Sequence, residues 1–315
     1  MSREGSSRPA AKLTLGPLLF NWPAERMRDF YFRIAEEAPV DTVCIGEVVC
    51  SKRAPFFAPY LPAVVARLEA AGKEVVHAAL ALVMSERERR DLAALAAAED
   101  LFVEANDLAA VALLDGRDHA IGPYVNVYNE GTLAFLVRRG ARRVSLPFEL
   151  PARARAALAD ASTKMESRPE LEVQVFGRTP LAISARCTHA RAQGLHRNNC
   201  QYVCEADRDG MALETLDGRP FLAINGTQTL SFGIGNLAAE LAALRAMGIG
   251  RFRLSPQDLD MVAVAEAFRA VLDGRLEPDA ALERLAGLAT FAPFINGFYH
   301  GAEGAARIGG PLASE

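Results

Sequence analysis

Cysteine, histidine and tryptophan are scarce in this 315-residue chain, at five, five and one copies. So small and odd a number of thiols excludes a disulfide-stapled framework. No apolar run reaches the ~18 residues of a membrane-spanning helix, and the polar segment Met1 to Lys12 lacks the apolar core of a secretory signal. An excess of positive charge is missing as well. With 35 Lys and Arg against 39 Asp and Glu the net charge is -4, so no overall field draws the molecule to nucleic acid or to an anionic membrane. There is no Gly-x-Ser-x-Gly elbow, no His-Glu-x-x-His helix and no phosphate loop, which removes the familiar hydrolase and nucleotide-binding chemistries. A cytoplasmic protein with reduced thiols is expected, and clustered cysteines in that setting bind metal or do chemistry.

What the chain does have is a regular alternation. From residue 13 to about 177, short apolar runs alternate with segments of helical period, the pattern of βα units around a parallel sheet. Strands are expected over Leu13–Phe20, Asp41–Gly46, Glu74–Leu82, Leu101–Ala105, His119–Gly122, Arg142–Pro147 and Leu171–Phe176, and an eighth over Arg251–Leu254. Pro23, Gly72, Ser85 and Gly140 mark helix boundaries. Further helices are expected over Asn236–Met247 and Gln257–Leu272. Eight such units predict an α/β fold, a TIM-like (β/α) barrel that is closed, distorted or incomplete. Residues 13–290 form its single domain, between a disordered tail over 1–12 and a loose Gly-rich tail over 291–315. Residues 178–235 read as an insertion between strands seven and eight, with a hairpin at Asn225-Gly226. Gly233-Ile-Gly235 reads as a structural loop, since no ribose-binding acid ends the following strand.

The insertion carries Cys187, Cys200 and Cys204 in a polar, arginine-rich stretch. A tetrathiolate site needs one more ligand. Cys50 follows the second strand, on the face where barrels build their sites, whereas Cys44 lies within an apolar strand and reads as core. No paired Cys-x-x-Cys knuckles are present, so spacing alone leaves an iron-sulfur cluster, zinc and no metal all open. Lys52, Arg53, Arg186 and Arg191 flank these thiols and could offset their charge or grip an acidic substrate, or they are solvated surface charges. Glu47, Glu104 and Glu149 fall at strand ends, and Asn126, Tyr128 and Asn129 follow strand five; these are substrate-binding candidates, with helix caps as the plain alternative. His189 and His196 could replace a zinc-binding cysteine but read as idle loop residues.

Gly46-Glu-Val-Val-Cys-Ser-Lys-Arg53, Glu104-Ala-Asn-Asp-Leu108, Asn126-Val-Tyr-Asn129, Leu181-Ala-Ile-Ser-Ala-Arg-Cys187, Cys200-Gln-Tyr-Val-Cys204, Ile224-Asn-Gly-Thr-Gln-Thr229 and Arg253-Leu-Ser-Pro-Gln257 resemble the collagenase-like peptidase family. Within that family the chain is similar to the branch engaged in anaerobic ubiquinone biosynthesis, through Cys-Ser-Lys-Arg above all. The cysteine that many members carry before Ser-x-Arg-Cys is absent from Phe176–Leu181 here. The resemblance implies a 4Fe-4S cluster on Cys50, Cys187, Cys200 and Cys204. It also implies a heterodimer with a UbiU-like paralogue and oxygen-independent hydroxylation of a quinone precursor, with prephenate as hydroxyl source. Protease activity is not expected. The alternatives are hydroxylation of an RNA base, as in other relatives, and a non-catalytic zinc-stabilised scaffold subunit.

Overall fold

The computed structural model describes residues 10–309. Residues 1–9 of the expected N-terminal tail lie outside the described residues, and Lys12 already belongs to the first strand. The strands are β1 Lys12–Leu15, β2 Thr42–Ile45, β3 Glu74–Ala78, β4 Val103–Ala105, β5 His119–Ile121, β6 Ala141–Leu146, β7 Glu170–Ile183, β8 Met211–Glu214, β9 Pro220–Asn225, β10 Gln228–Asn236, β11 Arg251–Leu254 and β12 Phe294–Ile295. Strands β1 to β7 pair in chain order, β11 joins β7 to β1, and every one of these pairings is parallel. The result is a closed eight-stranded parallel barrel with helices between its strands, as expected.

Strand β7 serves two sheets. Its first half is a barrel stave, and its second half runs beyond the rim, where β10 returns antiparallel along it and continues to β9 and β8. The change falls at Gly177, whose φ is +111° and where an added Cβ would stand 2.6 Å from the Ser255 side chain, so only glycine lets the strand pass there. The 178–235 insertion is thus a three-stranded antiparallel flap on an extended stave.

Several expected boundaries shift. Strands one and three end at Leu15 and Ala78, well short of Phe20 and Leu82. The apolar residues beyond them leave the sheet but remain buried, because Leu19, Val48, Val49 and Ala78 form a small second core over the barrel mouth. Gly233–Gly235 belongs to β10 and is not a loop. The helices expected from Asn236 and Gln257 begin at Leu241 and at Met261, the latter with Asp260 as its cap. Ser85 caps its helix in a full capping box with Glu88. Residues 291–309 are not loose: β12 pairs with β10, Tyr299 is buried, and the Asn296 side chain bonds Glu240 and Ile308. Among the described residues no helix is long and apolar enough to cross a membrane.

The barrel strands alternate with period two. Leu13, Leu15, Val43, Ile45, Val173, Phe252 and Leu254 join the hydrophobic core shared with the helices. The intervening residues are polar and equally buried: Thr14, Thr42, Cys44, Glu104, Ser145, Glu172, Arg251 and Arg253. Arg253 ties the inside together. Its guanidinium bonds Glu172 at 2.6 Å, pairs with Glu104 and approaches the Cys44 sulfur at 3.7 Å. One layer below, Arg143 bonds Glu74 at 2.9 Å and Arg251 bonds Glu170 at 2.7 Å. Cys44 is interior as expected, but Glu104 is not a mouth residue: it is consumed by Arg253.

Two outcomes follow from this buried lattice. Arg253→Met strands Glu104 and leaves Glu172 with Arg143 alone, and is expected to destabilise the fold by about 3–5 kcal/mol in urea denaturation; a loss under about 1 kcal/mol would show the pairing to be dispensable. Burial pushes the Glu172 carboxyl up, but Arg253 and Arg143 outweigh it and hold it at about 2. This lies below the ~4.3 of an unfolded glutamate, so its stabilisation is complete above that value and drains away as pH falls toward the folded value. The urea midpoint should therefore drop across this acid range, and Arg253→Met should flatten that part of the profile.

Candidate functional site

Cys50 is set by the turn that leaves β2. Gly46 has φ +132°, and an added Cβ would meet the Ala78 carbonyl at 2.5 Å, so the chain turns tightly across β3. Glu47 Oε1 then accepts the backbone N–H groups of Val49 (2.8 Å) and Cys50 (2.9 Å). Glu47, a candidate for substrate, therefore shapes the loop that presents Cys50. Burial pushes its carboxyl up, with Arg53 acting against it.

Ser51, Lys52 and Arg53 each have a distinct partner. The Ser51 hydroxyl bonds Glu88 at 2.5 Å, and Glu88 also receives Arg197 at 3.3 Å, so the start of one helix anchors both the Cys50 loop and the loop leading to Cys200. Lys52 Nζ donates to the Arg197 carbonyl at 2.7 Å and stands 4.0 Å from Cys200 Sγ. Arg53 is buried and donates to the Leu19 carbonyl (2.8 Å) and to Asn225 Oδ1 (2.9 Å). Burial works against its charge, but Glu47 and the thiols of Cys204, Cys50 and Cys187 favour it. Both terminal nitrogens of Arg53 thus bond the framework, while its Nε has no partner among the described residues.

The insertion closes over this loop. Thr227 Oγ1 donates to the Val49 carbonyl at 3.0 Å, and the Ser184 N–H donates to the Thr227 carbonyl at 2.9 Å. Cys187 precedes a short helix, Thr188–Ala192, and its sulfur accepts the Ala190 N–H at 3.4 Å. His189 is neither exposed nor idle: it is buried and bonds Asp207 at 2.8 Å. His196 is exposed on the same loop. Gln201 and Tyr202, between Cys200 and Cys204, both have positive φ (48° and 54°), a costly backbone for non-glycine residues that reverses the chain between the two thiols. Burial pushes the Cys50 and Cys204 thiols up; Arg53 lowers both, and Asn21 adds to this at Cys204.

The structure thus brings Cys50 from the start of the barrel into the electrostatic neighbourhood of Cys187 and Cys204, with Cys200 beside Lys52. All five cysteines are free thiols. Among the described residues no three His, Cys, Asp or Glu side chains stand at metal-binding spacing. The donor set nevertheless suits a soft-metal cluster: four thiols, each beside a hydrogen-bond donor or cation, the environment that tunes thiolate-bound iron. Arg186, Arg191, His196 and Arg197 line an open groove of about 530 Å³ against Cys187, and Arg186 and Arg191 form no ion pair among the described residues.

The other candidates gather at a cavity of about 280 Å³ at the barrel mouth, walled by Asn126, Tyr128, Glu149, Tyr124, Gln174 and Phe148. The Tyr128 hydroxyl bonds Glu149, and its pKa is pushed up to about 12, by burial and then by that carboxylate. Asn129 stands outside this cavity; its side chain caps the helix Glu130–Arg138 through the Thr132 N–H at 2.9 Å. Reading residues singly misses Asn225, Gln228 and Glu88. In the sequence Asn225 shows only as a turn residue, and Glu88 gives no signal beyond standing three residues after the Ser85 cap.

A closed parallel barrel that carries thiols on its second loop and on a flap after its seventh strand defines an α/β-barrel class with a cysteine-bearing appendage. The model of Peptidase family U32 matches residues 30–308, and the chain belongs to this family, the collagenase-like peptidases that its motifs resemble.

If Asn225 ties the Cys50 loop to the flap, Asn225→Leu should speed iodoacetamide alkylation of Cys50 by roughly ten-fold, the effect of losing a buried bond to a charged group. An unchanged rate at unchanged global stability would show that the two segments are held together elsewhere.

Proposed function

We propose that the chain is a UbiV-like iron-sulfur subunit of an oxygen-independent hydroxylase. It would act on ubiquinone precursors as a heterodimer with a UbiU-like paralogue, with prephenate as the hydroxyl source. The observation that carries this reading is the convergence of Cys50, from the second loop, on the thiols of the flap around Arg53 and Lys52.

In this reading Cys50, Cys187, Cys200 and Cys204 would hold a 4Fe-4S cluster. The cluster would supply one-electron chemistry for a reaction that replaces a ring C–H by C–OH. The remaining work falls to the chain's own side chains. Arg53 and Lys52 offset the charge of the thiolates, and Glu88 fixes the two loops relative to each other. Arg186 and Arg191, which form no ion pair among the described residues, stand beside Cys187 and would receive the carboxylates of an anionic co-substrate. No peptidase step is proposed, and the net charge of -4 disfavours the RNA-directed alternative.

Anaerobic purification with the paralogue should yield about four irons and four acid-labile sulfides per chain. Serine at position 50, 187, 200 or 204 should each cut that content severely, while Cys44→Ser should leave it intact. Full loading of the Cys50→Ser protein, or zinc without sulfide, would falsify the reading.

A further inference from the structure

The direction of every hydrogen bond between Arg53 and the barrel-mouth cavity is fixed by chemistry. A guanidinium can only donate, so Asn225 Oδ1 must accept from Arg53. Asn225 Nδ2 therefore donates, to the Leu19 carbonyl at 2.7 Å and to Gln228 Oε1 at 3.3 Å. With its oxygen so used, Gln228 presents Nε2 to Tyr124 and donates to the phenol oxygen at 2.7 Å. Neither amide can be flipped without setting donor against donor or acceptor against acceptor. The Tyr124 oxygen is hence an acceptor in this chain, and its own proton must go elsewhere. Among the described residues nothing accepts it, and the ring lines the mouth cavity. Burial keeps that phenol protonated far above neutral pH.

The rest of the cavity narrows the ligand. Its volume, about 280 Å³, exceeds the ~150 Å³ that accommodates benzene in a protein interior and leaves room for ring substituents. Leu146, Phe148 and Leu181 supply apolar wall, and the Glu149 carboxylate stands on the rim, where it repels an anion.

We infer that this cavity binds a neutral six-membered ring bearing a hydroxyl or carbonyl oxygen, and that this oxygen accepts the Tyr124 O–H. Gln228 and Asn225 are positioning residues that fix where the proton points. The cavity is thus distinct in charge from the arginine groove beside Cys187, which selects anions. Its relevance to ring hydroxylation rests on the function proposed above; the binding itself requires no iron.

The test is calorimetric titration of the purified full-length chain, without added iron, at pH 7 with para-cresol, toluene and 4-methylbenzoate. Cresol is expected to bind saturably at one site. Toluene, which cannot hydrogen-bond, should bind roughly five-fold more weakly, and the benzoate at least ten-fold more weakly. Tyr124→Phe should bring cresol down to the toluene level and leave toluene unchanged, which separates a lost hydrogen bond from lost structure. Glu149→Gln should relieve most of the discrimination against the benzoate. Leu181→Trp, at an exposed rim position, should block all three without disturbing the core. Absence of saturable cresol binding, cresol no tighter than toluene, a preference that survives Tyr124→Phe, or binding that survives Leu181→Trp would each overturn the inference. Because iron content is assayed separately, failure here and failure of the cluster assignment are distinguishable.

Discussion

A single guanidinium, buried where three distant segments meet, sets the geometry on which the site depends. Arg53 reaches back to the carbonyl of Leu19, forward to the side chain of Asn225, and lies among Glu47 and three thiols. Burying such a charge is costly unless its hydrogen bonds are made and an opposite charge is near. That cost works as a constraint. The loop after β1, the loop after β2 and the β9–β10 turn must each supply their partner, or the cation is stranded. A lysine could not do the same, because its point charge lacks the planar fork that addresses two acceptors at fixed angles. Here Lys52 has the less demanding task, one carbonyl and one sulfur at the half-buried edge.

The barrel below is suited to carrying such a site because its interior is not the usual stack of branched aliphatic side chains. Arg253, Arg251 and Arg143 cross-link Glu172, Glu170, Glu104 and Glu74 from different staves. Apolar side chains could slide and repack, whereas these bonds are directional and expensive to leave unmade. The staves are therefore held in register from inside as well as by the outer hydrophobic layer. The Gly46 and Gly177 turns, which launch the Cys50 loop and the flap, start from a rigid rim.

Much of this was legible in the sequence, and the remainder was hidden for identifiable reasons. The barrel followed from alternating periods, the flap from Asn225-Gly226, and the place of Cys50 on the loop after the second strand from position alone. Strand ends were misplaced at Leu18–Phe20 and Ala79–Leu82 because a buried loop and a buried strand are equally apolar, and only the second core over the mouth distinguishes them. Glu104 looked like a mouth carboxylate because a strand-end acid and an interior acid are the same letter; what separates them is Arg253, nearly 150 residues later, at 3.3 Å and closer. His189 was misjudged for the same reason, since Asp207 is its partner only in three dimensions. The Gly-rich segment after Phe291 gave no periodic signal, yet it pairs through β12 and buries Tyr299.

The division between a stiff barrel and an appended flap also explains where the thiols lie. Three of the four candidate ligands sit on short turns of the flap and one on a rim loop, none on a stave. Such segments can shift by small amounts without breaking a barrel ladder, and the left-handed residues Gln201 and Tyr202 show backbone strain held there by the surroundings. The mouth cavity, by contrast, is walled mainly by barrel strands and the turns that follow them. The chain Arg53–Asn225–Gln228–Tyr124 joins the two. Since each amide along it has only one allowed orientation, the same bonds that hold the Cys50 loop to the flap also fix which atom is turned to Tyr124.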